Sequence, residues 1–166
     1  MSGPLELLRN YIVERLTPQT AARALDRTAG ALGDDRRTMT RMALRDVRDE
    51  PTSQGSALWT PDYNRSIGAV SAEPSPFSRD WQSVNWLGSI VPGGGRDLMH
   101  SLRAEGPYGL YLTSLDLPNT QRFYRSMGMR PPEEWGLDPS LFNRLRNYDY
   151  VLPPDEPFRR RRGGLV

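Results

Sequence analysis

The chain has 166 residues, 37% hydrophobic and 25% charged, with a formal net charge of +2; this is the composition of one globular domain with one sizeable core. It contains no cysteine, which excludes disulfides, thiolate metal sites and cysteine nucleophiles. Its basic residues are all arginine and its one histidine is His100, which excludes lysine chemistry and any multi-histidine metal site.

Residues 4–16, "PLELLRNYIVERL", carry apolar side chains at helical spacing and predict a helix. Residues 1–17 are accordingly read as a helical extension ahead of a main domain at 18–152. The charges scattered through it do not have the layout of a signal peptide, and no run in the chain reaches the ~18 apolar residues of a membrane span. A cytoplasmic protein with no membrane partner is expected. In "TPQTAARALDRTAGALG", Thr17 fits an N-cap and Pro18 the first helical position. Ala21, Leu25, Ala29 and Leu32 share a face, and Gly33 is a natural stop. "DDRRTMTRMALRDVRDE" predicts a further surface helix that ends at Glu50-Pro51.

The period then changes. "SALWTPDYNRSIGAVSAEP" is two short apolar runs around "PDYN", a hairpin signal. "SVNWLGSIV" predicts a buried strand and "RDLMHSLRAEG" a helix ended by Gly106. "YGLYLTS" predicts a strand. "LPNTQRFYRSMG" predicts a helix with Pro118 near its start and Gly128 at its end. "LDPSLFNRLRN" predicts a short helix that opens at Asp138-Pro139, and "YDYVLP" a last strand. Residues 153–166 form a polar tail ending in "RRRRGGLV". The order predicts a mixed α/β domain rather than a regular βαβ array.

One junction stands out. "SIVPGGGRDLM", residues 89–99, places three glycines where a helix begins. They supply either a tight turn or bare backbone for a phosphate-bearing ligand at a helix N-terminus, and both readings stay open at this point.

The stretch Ser83 to Met129 resembles the GNAT superfamily of N-acetyltransferases. The specific part is "LYLTSLDLPNTQRFYRSMGMR": a strand ending Leu112-Thr113-Ser114, then Asn119, then Phe123-Tyr124, then Gly128-Met129. "GRDLMHSLRAEG" looks like that family's cofactor-binding helix. The resemblance implies a mixed, mostly antiparallel twisted sheet with helices on both faces and a V-shaped gap between the fourth and fifth strands. It implies acetyl-CoA as co-substrate and an amine as acceptor. Gly93, Gly94, Gly95 and Arg96 would take the pyrophosphate. Backbone at Ile90 and Val91 would face the thioester, and Thr113, Ser114 and Asn119 would line the pantetheine. Tyr124 would protonate the departing thiolate. The loop "IVPGGGRDLM" is several residues shorter than the family's usual one, with Ile90 where arginine or glutamine is customary. No strand is read ahead of Thr17, where the family has one.

Other readings accompany this one. Glu73 and Asp80 flank the loop before the fourth strand and are candidates for a general base. His100 reads as a surface or half-buried residue, and Trp59, Trp81, Trp86 and Trp135 as core or rim packing. The alternative to an enzyme is a catalytically inactive protein of the same fold in a larger assembly such as a phage virion, held through residues 1–16 and the arginine-rich tail. A weaker third reading is a toxin that acetylates aminoacyl-tRNA, with arginines on the nucleic-acid phosphates.

Overall fold

The computed structural model describes residues 10–28, 35–76, 78–114, 118–142 and 148–159. Six strands and four α-helices are found among them: β1 (Ile12–Arg15), α1 (Pro18–Arg27), α2 (Asp35–Asp49), β2 (Gln54–Trp59), β3 (Ser66–Pro74), β4 (Trp81–Ser89), α3 (Gly94–Arg103), β5 (Gly109–Ser114), α4 (Pro118–Ser126) and β6 (Tyr148–Leu152). The strands follow the order β1-β2-β3-β4-β5-β6. The β1–β2, β2–β3 and β5–β6 ladders are antiparallel and β4–β5 is parallel. The expected mixed, mostly antiparallel sheet is therefore present.

The chain divides into two compact units, Met1–Glu73 with Val84–Gly106, and Pro74–Ser83 with Pro107–Val166. In the first, α1 starts as the sequence predicts. Thr17 Oγ1 accepts the N–H of Thr20 at 3.1 Å and Thr20 Oγ1 accepts the N–H of Thr17 at 2.7 Å, a reciprocal cap with Pro18 behind it. Ala21, Ala24 and Leu25 of α1 and Ala43, Leu44 and Val47 of α2 are buried with Trp59 in one core. Trp59 is fully buried, and its Nε1–H donates to Glu14 Oε1 at 3.1 Å, so the indole's one polar atom is satisfied.

β1 corrects the reading of residues 4–16 as a helix. Where the structure describes that stretch, Ile12–Arg15 is a strand paired with Ser56–Trp59 of β2. Leu8, Ile12 and Leu16 mimic a helical stripe, but the β-branched pair Ile12-Val13 and the free edge of β2 decide the conformation. Residues 1–9 and the tail 160–166 lie outside the described residues, as do Ala29, Leu32 and Gly33.

The second unit is built on the β5–β6 ladder, with Leu110 opposite Leu152 and Ser114 opposite Tyr148. One face is covered by Trp81, Trp135 and Leu137, which pack on Tyr111 and Val151. The helix expected over 137–147 is a single 3-10 turn, Pro139–Phe142, where the structure describes it. Asp138 accepts the N–H of Ser140 at 3.0 Å, and this Asx-type bond favours the tight turn. Residues 143–147 lie outside the described set.

Candidate active site

The first unit holds the glycine junction. α3 starts two residues earlier than "RDLM", with Gly93 as N-cap in the left-handed region at φ +78°. This conformation suits glycine and strains most other residues. Gly94 is buried, and a Cβ there would lie 2.3 Å from Ser89 Oγ and 2.6 Å from Leu58 Cδ1. Two of the three glycines are thus demanded by the turn and its packing. The N–H of Gly94 bonds Val91 O at 3.2 Å, and the intrahelical ladder opens with Asp97 N–H on Gly93 O at 3.3 Å. Gly95 and Arg96, both half-buried, present their N–H groups at the positive end of the helix. Asp97 also lies in this first turn, and Tyr11 Oη donates to its Oδ2.

Ile90 and Val91 have their amide hydrogens engaged inside the protein. Ile90 N–H bonds Ile67 O at 3.0 Å, and Val91 N–H bonds Ser89 Oγ at 3.2 Å. His100 is exposed on α3, as expected. Glu73 is half-buried at the end of β3.

The second unit holds Tyr124, Thr113, Ser114 and Asn119. Tyr124 is 8% exposed on α4. Its ring stacks on Tyr150 of β6 at 5.6 Å between centroids and meets Phe123 edge-on at 5.0 Å. Burial in these aromatic surroundings pushes its phenol up to about 12. Asn119 is exposed at the start of α4, with its Oδ1 accepting from Arg122. Thr113 is exposed near the end of β5, whereas Ser114 is buried. Thr113 Oγ1 donates to Asp149 Oδ1 at 2.8 Å. Asp149 is 1% exposed, and the sequence around it carries no signal for a site. Its link to Thr113 exists only through the β5–β6 ladder, and no local pattern announces it. Asp80, the other sequence candidate for a base, is exposed.

Among the described residues no cluster of acids and histidine could hold a metal ion, and no helix is long and apolar enough to cross a membrane. No protein-family model matches the chain, and no curated protein matches it by sequence. Solved structures do. An acetyltransferase of the GNAT family from Staphylococcus aureus is 14% identical with a TM-score of 0.57, over 85% of this chain and 97% of that one. A GNAT-family N-acetyltransferase from Escherichia coli, in complex with CoA, is 17% identical with a TM-score of 0.55, over 86% of this chain and 80% of that one.

This chain has the GNAT fold. A KacTA–DNA complex is similar too, at 18% identity and a TM-score of 0.54, over 86% of this chain and 92% of that one. In GNAT terms, β1 is the first strand that the sequence pattern hid, and α3 follows β4 through the Gly93–Gly95 turn.

Proposed function

We propose that this protein is a GNAT-superfamily enzyme that moves an acetyl group from acetyl-CoA to an amine acceptor. The observation that carries the reading is Tyr124. A phenol is buried on the helix after β5, in a chain of the GNAT fold, and burial keeps it protonated.

The donors at the start of α3 suit a pyrophosphate. Gly95 and Arg96 would offer N–H groups at a helix N-terminus, and the Arg96 guanidinium would add charge. Gly93 and Gly94 would set the turn that aims them. The engaged amides of Ile90 and Val91 make them poor partners for a thioester. Because Ile90 N–H points to β3, alternation along the strand turns Leu87 and Ser89 to the other edge. Their N–H groups are the better candidates to polarise the carbonyl. Thr113, Ser114 and Asn119 stay in the proposed set at the end of β5 and the start of α4.

CoA supplies the acetyl group as a thioester, and the amine attacks its carbonyl carbon. As the C–S bond breaks, Tyr124 Oη donates its proton toward the sulfur. A phenol near 12 is a weak acid against a free thiol near ~8.5. A buried thiolate is penalised as a buried phenolate is, and this narrows the gap. Tyr124 therefore acts first as a hydrogen-bond donor to the departing sulfur, and the proton follows.

The test is calorimetry with acetyl-CoA, then thiol release in the presence of amines. Wild type is expected to bind in the micromolar range. Arg96→Glu is expected to weaken binding by about tenfold or more, by placing a like charge beside the phosphates. Tyr124→Phe is expected to bind normally and lose about a hundredfold in kcat. Absence of binding at millimolar acetyl-CoA overturns the reading.

A further inference from the structure

The acyl-transfer reading leaves one proton without a destination, that of the attacking amine, and the β5–β6 ladder supplies a candidate. Asp149 is a carboxylate buried to 1% exposure within a sheet, where charged side chains are rarely placed without a role or a partner. Its Oδ1 accepts from Thr113 Oγ1 at 2.8 Å, and Thr113 is exposed. A hydroxyl of an exposed residue thus bonds a buried carboxylate.

Placement on the ladder adds to this. Thr113 pairs with Asp149, and the next pair along is Leu112 with Tyr150. Neighbouring residues of a strand point to opposite faces, so Thr113 and Asp149 lie on one face and Tyr150 on the other. Tyr124 packs on Tyr150. The proton donor to sulfur and the Thr113–Asp149 pair therefore stand on opposite faces of the same ladder. The parallel ladder to β4 takes in Gly109–Tyr111, and Thr113 lies beyond it, on strand edge that this ladder does not cover. An amine approaching the thioester from one face while sulfur leaves toward the other would meet a base on its own side.

We infer that Thr113 receives the amine proton and that Asp149, behind it, is the positioning residue that accepts the proton in turn. This rests on the acetyltransferase reading. In the step, the amine nitrogen bonds the carbonyl carbon and the C–S bond breaks. The nitrogen's N–H passes its proton to Thr113 Oγ1 as the Thr113 proton moves to Asp149 Oδ1, while sulfur takes the proton of Tyr124. Asp149 then returns its proton to solvent and Tyr124 regains one.

The experiment uses the whole chain, acetyl-CoA, and hydroxylamine as the acceptor probe, and reads thiol release together with acetyl-CoA affinity and melting temperature. Thr113→Val is expected to lower kcat thirty- to a hundredfold at saturating acetyl-CoA, a loss in the chemical step that any weaker cofactor binding does not account for. Thr113→Ser keeps the hydroxyl and is expected to stay within about threefold. Asp149→Asn still accepts the Thr113 bond but is a far weaker base, and is expected to lose about a hundredfold with a near-normal melting temperature. A Thr113→Val enzyme with unchanged kcat overturns the inference and leaves the acetyltransferase reading standing. So does an Asp149→Asn enzyme that loses stability but not kcat, since the pair then only fastens two strands. A wild type that binds acetyl-CoA and releases thiol with hydroxylamine no faster than the uncatalysed reaction overturns the acyl-transfer reading and this inference together.

Discussion

The glycine turn at the start of α3 and the tyrosine in the last turn of α4 carry two parts of the same functional reading, yet different physics puts each there. At the turn, φ +78° at Gly93 and the crowding around Gly94 require glycine whether or not a ligand ever arrives. At α4, the fold needs only an aromatic ring against Tyr150. A phenylalanine would fill that place, and burying a hydroxyl adds a desolvation cost without adding packing. A motif whose residues the fold already demands says little about a ligand. A polar atom the fold could do without says more.

The largest effect expected from this contrast is at Gly94. In Gly94→Ala the new Cβ would lie 2.3 Å from Ser89 Oγ, 2.6 Å from Leu58 Cδ1 and 2.9 Å from Val91 Cγ2. Overpacking of this kind costs about 3 kcal/mol, and a glutamate there leaves no folded protein. Denaturant unfolding followed by circular dichroism measures it. A Gly94→Ala protein of wild-type stability that has lost acetyl-CoA binding would reverse the contrast, because the glycine would then exist for the ligand.

Tyr124→Phe comes next, and its effect on stability depends on pH. The phenol is raised from 10.0 to about 12 by burial, so the unfolded chain gives up its proton at lower pH than the folded one. The two states bind equal numbers of protons below about pH 10, and there Tyr124 adds no pH dependence. Between about 10 and 12 the unfolded state is favoured, and wild type loses on the order of 2–3 kcal/mol that the phenylalanine variant keeps. Urea unfolding at intervals from pH 8 to 12 measures the difference between the two curves, in which the other tyrosines cancel. Parallel curves would mean that the Tyr124 hydroxyl is solvated and the contrast with the glycine turn is lost.

The same contrast explains what could be read from the sequence. Thr17-Pro18, the hairpin around "PDYN", α3, β5 and α4 all announce themselves locally, through caps, turn residues and periodicity. β1 does not, since Ile12-Val13 is a strand only because β2 offers an edge 40-odd residues away in sequence, and the flanking leucines fit a helix equally well. The 3-10 turn at Pro139–Phe142 shows the opposite failure, in which a good helix start opens as a tight turn where the structure describes it. At the site, Tyr124 is legible because Asn119, Phe123 and Gly128 lie within a few residues of it, in and just beyond α4. Asp149 was invisible because its partner Thr113 is 36 residues away and meets it only across paired strands. The engaged amides of Ile90 and Val91 were likewise out of reach, since the acceptor for Ile90 lies on β3.

The smallest effect belongs to a charged pair one residue from Tyr124. Arg125 Nη2 donates to Glu134 Oε2 at 2.9 Å, and both side chains are about half exposed, at 50% and 44%. The hydrogen bond from Arg125 holds the Glu134 carboxyl below its ordinary range. The pair's contribution is therefore present at neutral pH and lost as acid protonates Glu134 through that lowered value. Exposure and screening limit it to ~0.5 kcal/mol at most. Glu134→Gln is expected to remove that small acid-dependent increment while leaving both kcat and the loss of stability between pH 10 and 12 unchanged, as followed by the same urea series and by thiol release. The Tyr124 shift has burial as its cause, with no charge partner. Arg125 also interacts with the Tyr150 phenol. If Glu134→Gln moved the alkaline loss of stability in wild type but not in Tyr124→Phe, the Tyr124 hydroxyl would be coupled to the surface charges beside it rather than governed by the aromatic packing against Tyr150.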